Sequence, residues 1–288
     1  MSGGAARSGG SDLRTRMILA PLMLGLICGI FYVDLQWTDG RTSAVLLGLV
    51  ALGGVAEYVA MMRRAGQPVA SGLLLSFTAL LCGSAFLFDG WQMVDRELYP
   101  LVIGTMLMLF PIAVGSLARD RMKQGLAVQG ATLLGFVWIA WPLFLAQGLA
   151  IRHLPSVMMV LLVCKGGDIG GYVVGRAIGR HKLIPFISKG KTIEGSIGSL
   201  VASCAIAVWL SDALIPKEAG VGLTGAIAIG IMLNIGAQVG DLVESLLKRS
   251  CDVKDSSGLL PAHGGVLDLI DSLLFSFPAY FLLVVSLT

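Results

Sequence analysis

The chain has 288 residues, of which 56% are apolar and only 14% are charged, and its mean hydropathy is +0.83. Soluble domains carry about 25% charged residues, so these values exclude a water-soluble protein. The net charge of +3 likewise excludes a polybasic nucleic-acid-binding protein. We therefore predict an all-α, polytopic integral membrane protein with no nucleic-acid partner.

The five cysteines contain no Cys-x-x-Cys pair, and four of them lie inside apolar segments. This distribution indicates neither a disulfide framework nor a zinc site. We interpret the cysteines as small packing residues.

The predicted elements are membrane-spanning helices, because a helix satisfies its own backbone hydrogen bonds in lipid. Crossing a hydrocarbon core of roughly 30 Å takes about 20 mostly apolar residues. Residues 1–15 are rich in Gly and Ser, and we predict that they form a disordered tail. Nine apolar segments of suitable length follow the tail. In chain order they are 17–33, 44–62, 69–88, 100–118, 126–150, 156–176, 195–213, 221–241 and 266–286.

The distribution of positive charge predicts the orientation. The N-terminal tail and the second, fourth, sixth and eighth loops together hold sixteen Lys and Arg residues, whereas the other loops hold four. Because cytoplasmic loops retain positive charge, the N-terminus is predicted to be cytoplasmic and the C-terminus external. The strict alternation also supports the count of nine spans.

Charged and polar side chains that could take part in catalysis or binding concentrate in the second half of the chain. We therefore predict an N-terminal transmembrane scaffold at 16–150 and a C-terminal transmembrane catalytic domain at 151–288. Glu57, within the second span, is the exception in the first half.

Acidic residues flank the loop between the last two spans. If the helix continues past residue 241, one of its faces carries Asp241, Glu244, Ser245 and Lys248, and one face of the next helix carries Asp268, Asp271 and Ser272. An acid within a span costs about 2.5–3.5 kcal/mol, so these acids are functional candidates. Carboxylate oxygens of this kind suit Mg²⁺.

Basic residues alternate with these acids along the same loop. Lys248, Arg249, Lys254 and His263 are donors for phosphate oxygens. His263-Gly264-Gly265 precedes a helix N-terminus, which favours anion binding. The combination indicates a metal and polyphosphate site. The alternative is a charged loop whose residues only complement the helix dipoles.

A second polar segment precedes the seventh span. Glycines recur at every fourth residue from Gly167 to Gly179, which predicts a smooth ridge for close helix packing. Lys165 and Asp168 are predicted to pair with each other or to face a polar cavity. The Gly-Lys-Thr at 190–192 does not form a Walker loop, because Pro185 stands where that loop needs glycine. We interpret it as a basic loop that opens a helix.

Together these residues resemble the signature of the phosphatidate cytidylyltransferases, or CDP-diacylglycerol synthases. From Ser245 to Asp271 the signature reads Ser-x-Leu-Lys-Arg, Lys-Asp-x-Ser, Leu-Pro-x-His-Gly-Gly-Val-x-Asp and a last Asp. Stretches at 168–176, 191–195 and 240–245 are similar to the same family. The family usually has Pro-Gly-His and an Arg between the last two acids, where this chain has Ala262 and Leu269.

The resemblance implies transfer of a cytidylyl group from CTP to phosphatidic acid, with Mg²⁺ as cofactor, at the cytoplasmic face of a bacterial inner membrane. A homodimer is compatible with it. It implies catalytic roles for Asp241, Lys254, Asp255 and Asp268, with Asp241, Asp268 and Asp255 as metal ligands. The substrate-binding residues that it implies are Lys191, Thr192, Glu194, Ser245, Lys248, Arg249, His263, Gly264, Gly265 and Asp271.

Other functions compete with this one. A CTP-dependent polyprenol kinase or another lipid cytidylyltransferase would use similar substrates. A catalytically impaired homologue would fit the change at Leu269. A transporter would need polar or broken helices at the membrane midplane, whereas here the acids gather at one face.

The orientation is testable by labelling single cysteines from each side of the membrane in a cysteine-free background. Positions 190 and 257 are expected to react from the cytoplasmic side, and position 218 from the outside, because of the charge asymmetry. Labelling of positions 190 and 257 from opposite faces would contradict the nine-span arrangement.

Overall fold

Helices make up most of the part of the chain that the structure describes. The structure is a computed structural model that describes residues 21–22, 25–86, 93–116, 122–259 and 264–287. The predicted tail at 1–15 and part of the first predicted span lie outside these residues. The helices are α1 (25–33), α2 (Arg41–Arg64), α3 (Ser71–Ser84), α4 (Met93–Ser116), α5 (Gly125–Gly135), α6 (Trp141–Ile178), α7 (Ile193–Leu214), α8 (Leu223–Ser250) and α9 (Val266–Leu287), and the strands are β1 (Lys182–Ile184) and β2 (Ser188–Thr192).

Five described segments are long and apolar enough to cross a membrane, which confirms the predicted all-α membrane architecture. One of them, Gly125–Ile178, has 54 residues and combines α5 and α6. At 1.5 Å per residue it would be about 80 Å long if it were straight, far more than one bilayer crossing. The count of nine spans and the orientation stay predictions. The five segments are Arg41–Arg64, Gly125–Ile178, Ile193–Leu214, Leu223–Ser250 and Val266–Leu283.

A break divides this long segment between the fifth and sixth predicted spans. His153 has non-helical dihedral angles, φ −152° and ψ 77°, and Pro155 follows it inside the helix. Proline lacks the backbone N–H and disfavours a helical conformation in the preceding residues, so the chain kinks here. Across the kink, the Ser156 hydroxyl lies 2.9 Å from His153 Nδ1 and 3.0 Å from the Tyr280 hydroxyl, which connects the kink to α9.

Helices α6 to α9 pack against one another, and α2 packs against α6 and α9. The predicted glycine ridge lies at the contact between α6 and α7. A Cβ atom added at Gly171 would lie 3.1 Å from Ser199 Cβ and 3.2 Å from the Gly195 carbonyl oxygen. Behind this contact, the Asn234 side-chain amide donates to the hydroxyls of Ser199 at 2.7 Å and Ser203 at 3.0 Å. Close backbone approach and satisfied polar groups therefore join α6, α7 and α8.

The predicted basic loop before α7 is an antiparallel β-hairpin, with Lys182 paired to Thr192. The predicted helix start is confirmed, since α7 begins at Ile193. Thr192 caps the helix by accepting a hydrogen bond from the Gly195 N–H at 3.1 Å. At the base of the hairpin, Glu194 accepts hydrogen bonds from the His181 backbone N–H at 3.2 Å. Local caps thus fix the angle at which the hairpin leaves the bundle.

Candidate active site

A cavity of about 570 Å³ lies where α6 to α9 meet the hairpin. Polar side chains from all five elements line it. They include Lys165, Asp168, Tyr172 and Arg176 of α6, Ser188, Lys191 and Thr192 of the hairpin, Ser196 and Ser199 of α7, Gln238 and Asp241 of α8, and Asp268, Asp271 and Ser272 of α9.

Three acids from α8 and α9 form the most concentrated negative charge of this site. Oxygen atoms of Asp241, Glu244 and Asp271 lie within 4.8 Å of one another. Glu244 is fully buried and forms an ion pair with Lys248, one helical turn away. Within the described residues, neither Glu244 oxygen accepts a further hydrogen bond. The predicted convergence of two acidic helix faces is therefore confirmed for Asp241, Glu244 and Asp271.

Asp268 lies beside this cluster, but both of its oxygens already have donors. Lys248 Nζ donates to Oδ1 at 2.6 Å. The other oxygen accepts hydrogen bonds from the Ser256 N–H at 2.9 Å, the Ser256 hydroxyl at 2.7 Å and the Gly265 N–H at 2.7 Å. Asp268 thus caps α9 and ties the preceding loop to it.

Glu57 of α2 holds the same loop from the other side. Its buried carboxylate accepts a hydrogen bond from the Ser257 hydroxyl at 2.6 Å, and it lies 3.0 Å from the Ser256 hydroxyl, whose one proton it shares with Asp268. It also accepts from the backbone N–H groups of Val266 and Leu267, both at 2.9 Å. A single carboxylate therefore stabilises the loop and the first turn of α9 together.

The hairpin reaches across the cavity to α8, where Lys191 forms an ion pair with Asp241. Both side chains are about one third exposed or less, at 27% and 33%. The pair places a cation directly beside the acidic cluster. Lys191 and Asp241 both line the cavity, and the substrate-binding role implied for Lys191 and the metal-ligand role implied for Asp241 stay predictions.

The cytidylyltransferase family model matches residues 14–287, which is nearly the whole chain. The chain belongs to the cytidylyltransferase family. Among similar proteins, the phosphatidate cytidylyltransferase of Bacillus subtilis is 30% identical over 91% of this chain and 96% of its own. That of Pseudomonas aeruginosa is 32% identical over 93% and 95%, and that of Mycobacterium bovis is 33% identical over 92% and 86%.

Not every residue that the signature indicated lies at the cavity of this cytidylyltransferase. Arg249, Lys254 and Asp255 are exposed, and among the described residues they are not part of the cavity lining. Arg249 donates to the Val253 carbonyl at 3.4 Å, and Glu194 holds the hairpin base. The metal-ligand roles predicted for Asp268 and Asp255 stay predictions, although the geometry favours Glu244 and Asp271.

The remaining signature residues lie around the loop that Glu57 and Asp268 hold. Ser245 is half-buried on α8. Gly264 has a positive φ of 88°, which glycine adopts without strain, and a Cβ at Gly265 would lie 2.6 Å from Glu57 Oε1. The backbone conformation therefore favours glycine at 264, and the nearby Glu57 carboxylate leaves little room for a side chain at 265. His263 lies outside the described residues.

The sequence marked Glu57 as the exception in the scaffold half but did not reveal its role at the site. The only signal was an acid in an apolar span with no cation one helical turn away on either side. Its four hydrogen-bond donors lie about 200 residues further along the chain. Only the folded structure reveals that pairing.

The role of Glu57 is testable with Glu57→Gln. Each carboxylate oxygen accepts from one backbone N–H, so the NH₂ of glutamine would face an N–H in either orientation and leave it without an acceptor. We expect kcat per folded molecule to fall at least tenfold, and stability to fall by about 1–3 kcal/mol.

Thr78→Val is the control for Glu57→Gln, because the Thr78 hydroxyl is buried but donates only to Leu74 of its own helix. It should change the melting temperature slightly and leave kcat unchanged. Wild-type kcat in Glu57→Gln would contradict a role for this carboxylate in holding the site.

Proposed function

We propose that this chain transfers the cytidylyl group of CTP to phosphatidic acid, which yields CDP-diacylglycerol and pyrophosphate. One observation carries the proposal: acids and cations line a cavity between membrane-spanning helices, and two of these acids, Asp241 and Asp271, cluster with the buried Glu244. Such a cavity suits a reaction between a lipid phosphate and a nucleoside triphosphate. Family membership and relatives similar over most of their length support the same activity.

In this reaction a phosphate oxygen of phosphatidic acid attacks the α-phosphorus of CTP. The bond from that phosphorus to the oxygen bridging to the β-phosphate breaks, and pyrophosphate leaves with the electron pair. The protein's task is to align the two substrates and to offset their negative charge. Lys191 and Arg176, at the hairpin side of the cavity, are placed to bind phosphate oxygens.

No covalent enzyme intermediate is needed for this chemistry. Cys251 lies at the end of α8, next to the signature loop. Burial raises the pKa of the Cys251 thiol, and the carboxylate of Asp252 adds to this shift. The thiol therefore stays protonated near neutral pH and is a poor nucleophile.

The acidic cluster fits a divalent cation. Asp241, Glu244 and Asp271 offer only oxygen ligands, and the buried Glu244 has a single cation to offset its charge. Hard oxygen ligands suit Mg²⁺, which keeps several waters or phosphate oxygens in its coordination shell. When bound there, Mg²⁺ would neutralise charge on the phosphate oxygens of the substrates. Asp268 would act beside it by keeping Lys248 and the loop in place.

The cavity is proposed to open toward the cytoplasm of a bacterial inner membrane. Loops rich in Lys and Arg mark that side, and the hairpin with Lys182 and Lys191 is one of these loops. CTP would enter from the cytoplasm past the hairpin. Phosphatidic acid would reach the cavity from the membrane.

The metal site is testable with Asp241→Asn and Asp271→Asn. Each change removes one charge from the cluster, and we expect turnover to fall at least a hundredfold at saturating substrates and Mg²⁺. Asp252→Asn is the matched control: Asp252 is exposed, and its φ of 54° is one that asparagine adopts readily. The control should remain active. Near-normal turnover in both cluster variants would contradict a metal site at Asp241 and Asp271.

A further inference from the structure

One face of α6 forms a polar wall of the cavity. Lys165, Asp168, Tyr172 and Arg176 recur at intervals of three and four residues, and all four line the cavity. At 1.5 Å per residue, Lys165 and Arg176 are about 16 Å apart along the helix. Arg176 is next to the glycine that packs on Thr192 of the hairpin, so Lys165 lies at the opposite end. The wall therefore carries a cation at each end.

Lys165 has unusually weak partners for a lysine in a membrane-spanning helix. Its ammonium donates to the Leu269 carbonyl at 3.2 Å and the Ser272 hydroxyl at 2.9 Å, both of which are uncharged. The predicted ion pair with Asp168 is confirmed, but at 3.6 Å it is longer than a hydrogen bond. Two of the three N–H donors thus have neutral acceptors, and the third is left to the longer contact with Asp168.

The other lysines near the acidic cluster are more fully engaged. Lys248 is 13% exposed and contacts both Glu244 and Asp268. Lys191 is 27% exposed and paired with Asp241. The Lys165 side chain is 45% exposed and has the longest distance to a carboxylate of the three. It is therefore the lysine best placed to exchange a protein contact for a ligand.

We propose that Lys165 binds a phosphate group of a substrate at the end of the cavity away from the hairpin. An ammonium and a phosphate form a charge-assisted contact, and the neutral acceptors on α9 hold the ammonium in place until a substrate arrives. The inference rests on the proposed function, since that reaction brings two phosphate-bearing substrates together. The group is the phosphate of phosphatidic acid or one of the phosphates of CTP.

The test compares Lys165→Gln, Lys165→Met and Lys165→Arg with the wild type in steady-state assays in which each substrate is varied in turn. Glutamine removes the charge but keeps an N–H donor for Leu269 and Ser272, and methionine keeps the length of the apolar stem. We expect the KM for one substrate to rise roughly tenfold or more in both uncharged variants. Lys165→Arg should stay within about threefold of the wild type, since it keeps the charge.

The substrate whose KM rises carries the phosphate that Lys165 binds. An unchanged KM for the other substrate shows that the site is still folded. Lys217→Gln, which alters an exposed lysine remote from the cavity lining, should change neither KM. Unchanged KM values for both substrates in both uncharged variants would overturn the proposal.

A binding measurement separates this inference from the proposed function. Detergent-solubilised wild type should be stabilised against heat by phosphatidic acid compared with phosphatidylcholine, and also by CTP. Lys165→Gln should lose one of these two shifts. If the wild type makes no CDP-diacylglycerol, the proposed function fails. If the wild type is active and Lys165→Gln keeps both shifts, the role of Lys165 fails alone.

Discussion

Carboxylates inside membrane-spanning helices need cations or hydrogen-bond donors, because lipid offers neither. This need accounts for how the site is assembled. Glu57 of α2 takes its donors from the signature loop and from the start of α9. Asp268 takes its donors from α8, the loop and Gly265, and Asp241 draws the hairpin across to α8. Four separate parts of the chain therefore meet, because the carboxylates of one part are satisfied by cations or hydrogen-bond donors of another. These parts are α2, the hairpin, α8, and the signature loop with α9.

The acids fall into two groups according to how completely they are satisfied. Glu57 and Asp268 have donors at both oxygens, so their task is to hold the backbone. Asp241, Glu244 and Asp271 are clustered, and the buried Glu244 accepts no hydrogen bond beyond its ion pair with Lys248 among the described residues. Carboxylates this close together favour a bound cation, and the cluster is therefore suited to metal binding.

Much of this arrangement follows from the sequence alone. Apolar length predicted the membrane helices, and the four-residue glycine repeat predicted close helix packing, which the structure shows between α6 and α7. Helical spacing predicted that Asp241 and Asp271 would converge. The last span but one was predicted to end at residue 241, whereas α8 continues to Ser250. The helix continues because Glu244 and Lys248, one turn apart, pair with each other and complement the helix.

Long-range pairing is what the sequence did not reveal. Glu57 is an isolated acid along the chain, and its partners are known only once α2 packs against α9. The same holds for Lys165, whose contacts with Leu269 and Ser272 lie more than 100 residues away. The hairpin was interpreted as a loop because its strands are short. The contacts that stabilise it, the ion pair of Lys191 and the cap at Thr192, form only in the folded structure.

The central claim is that the cavity transfers a cytidylyl group and not a terminal phosphate. The most direct measurement incubates the purified chain with phosphatidic acid, Mg²⁺ and CTP that is labelled at either the α- or the γ-phosphate. The account predicts that the α label appears in lipid, as CDP-diacylglycerol, and that the γ label appears only in pyrophosphate. Transfer of the γ label to lipid, or no lipid labelling by a folded and membrane-competent preparation, would contradict it.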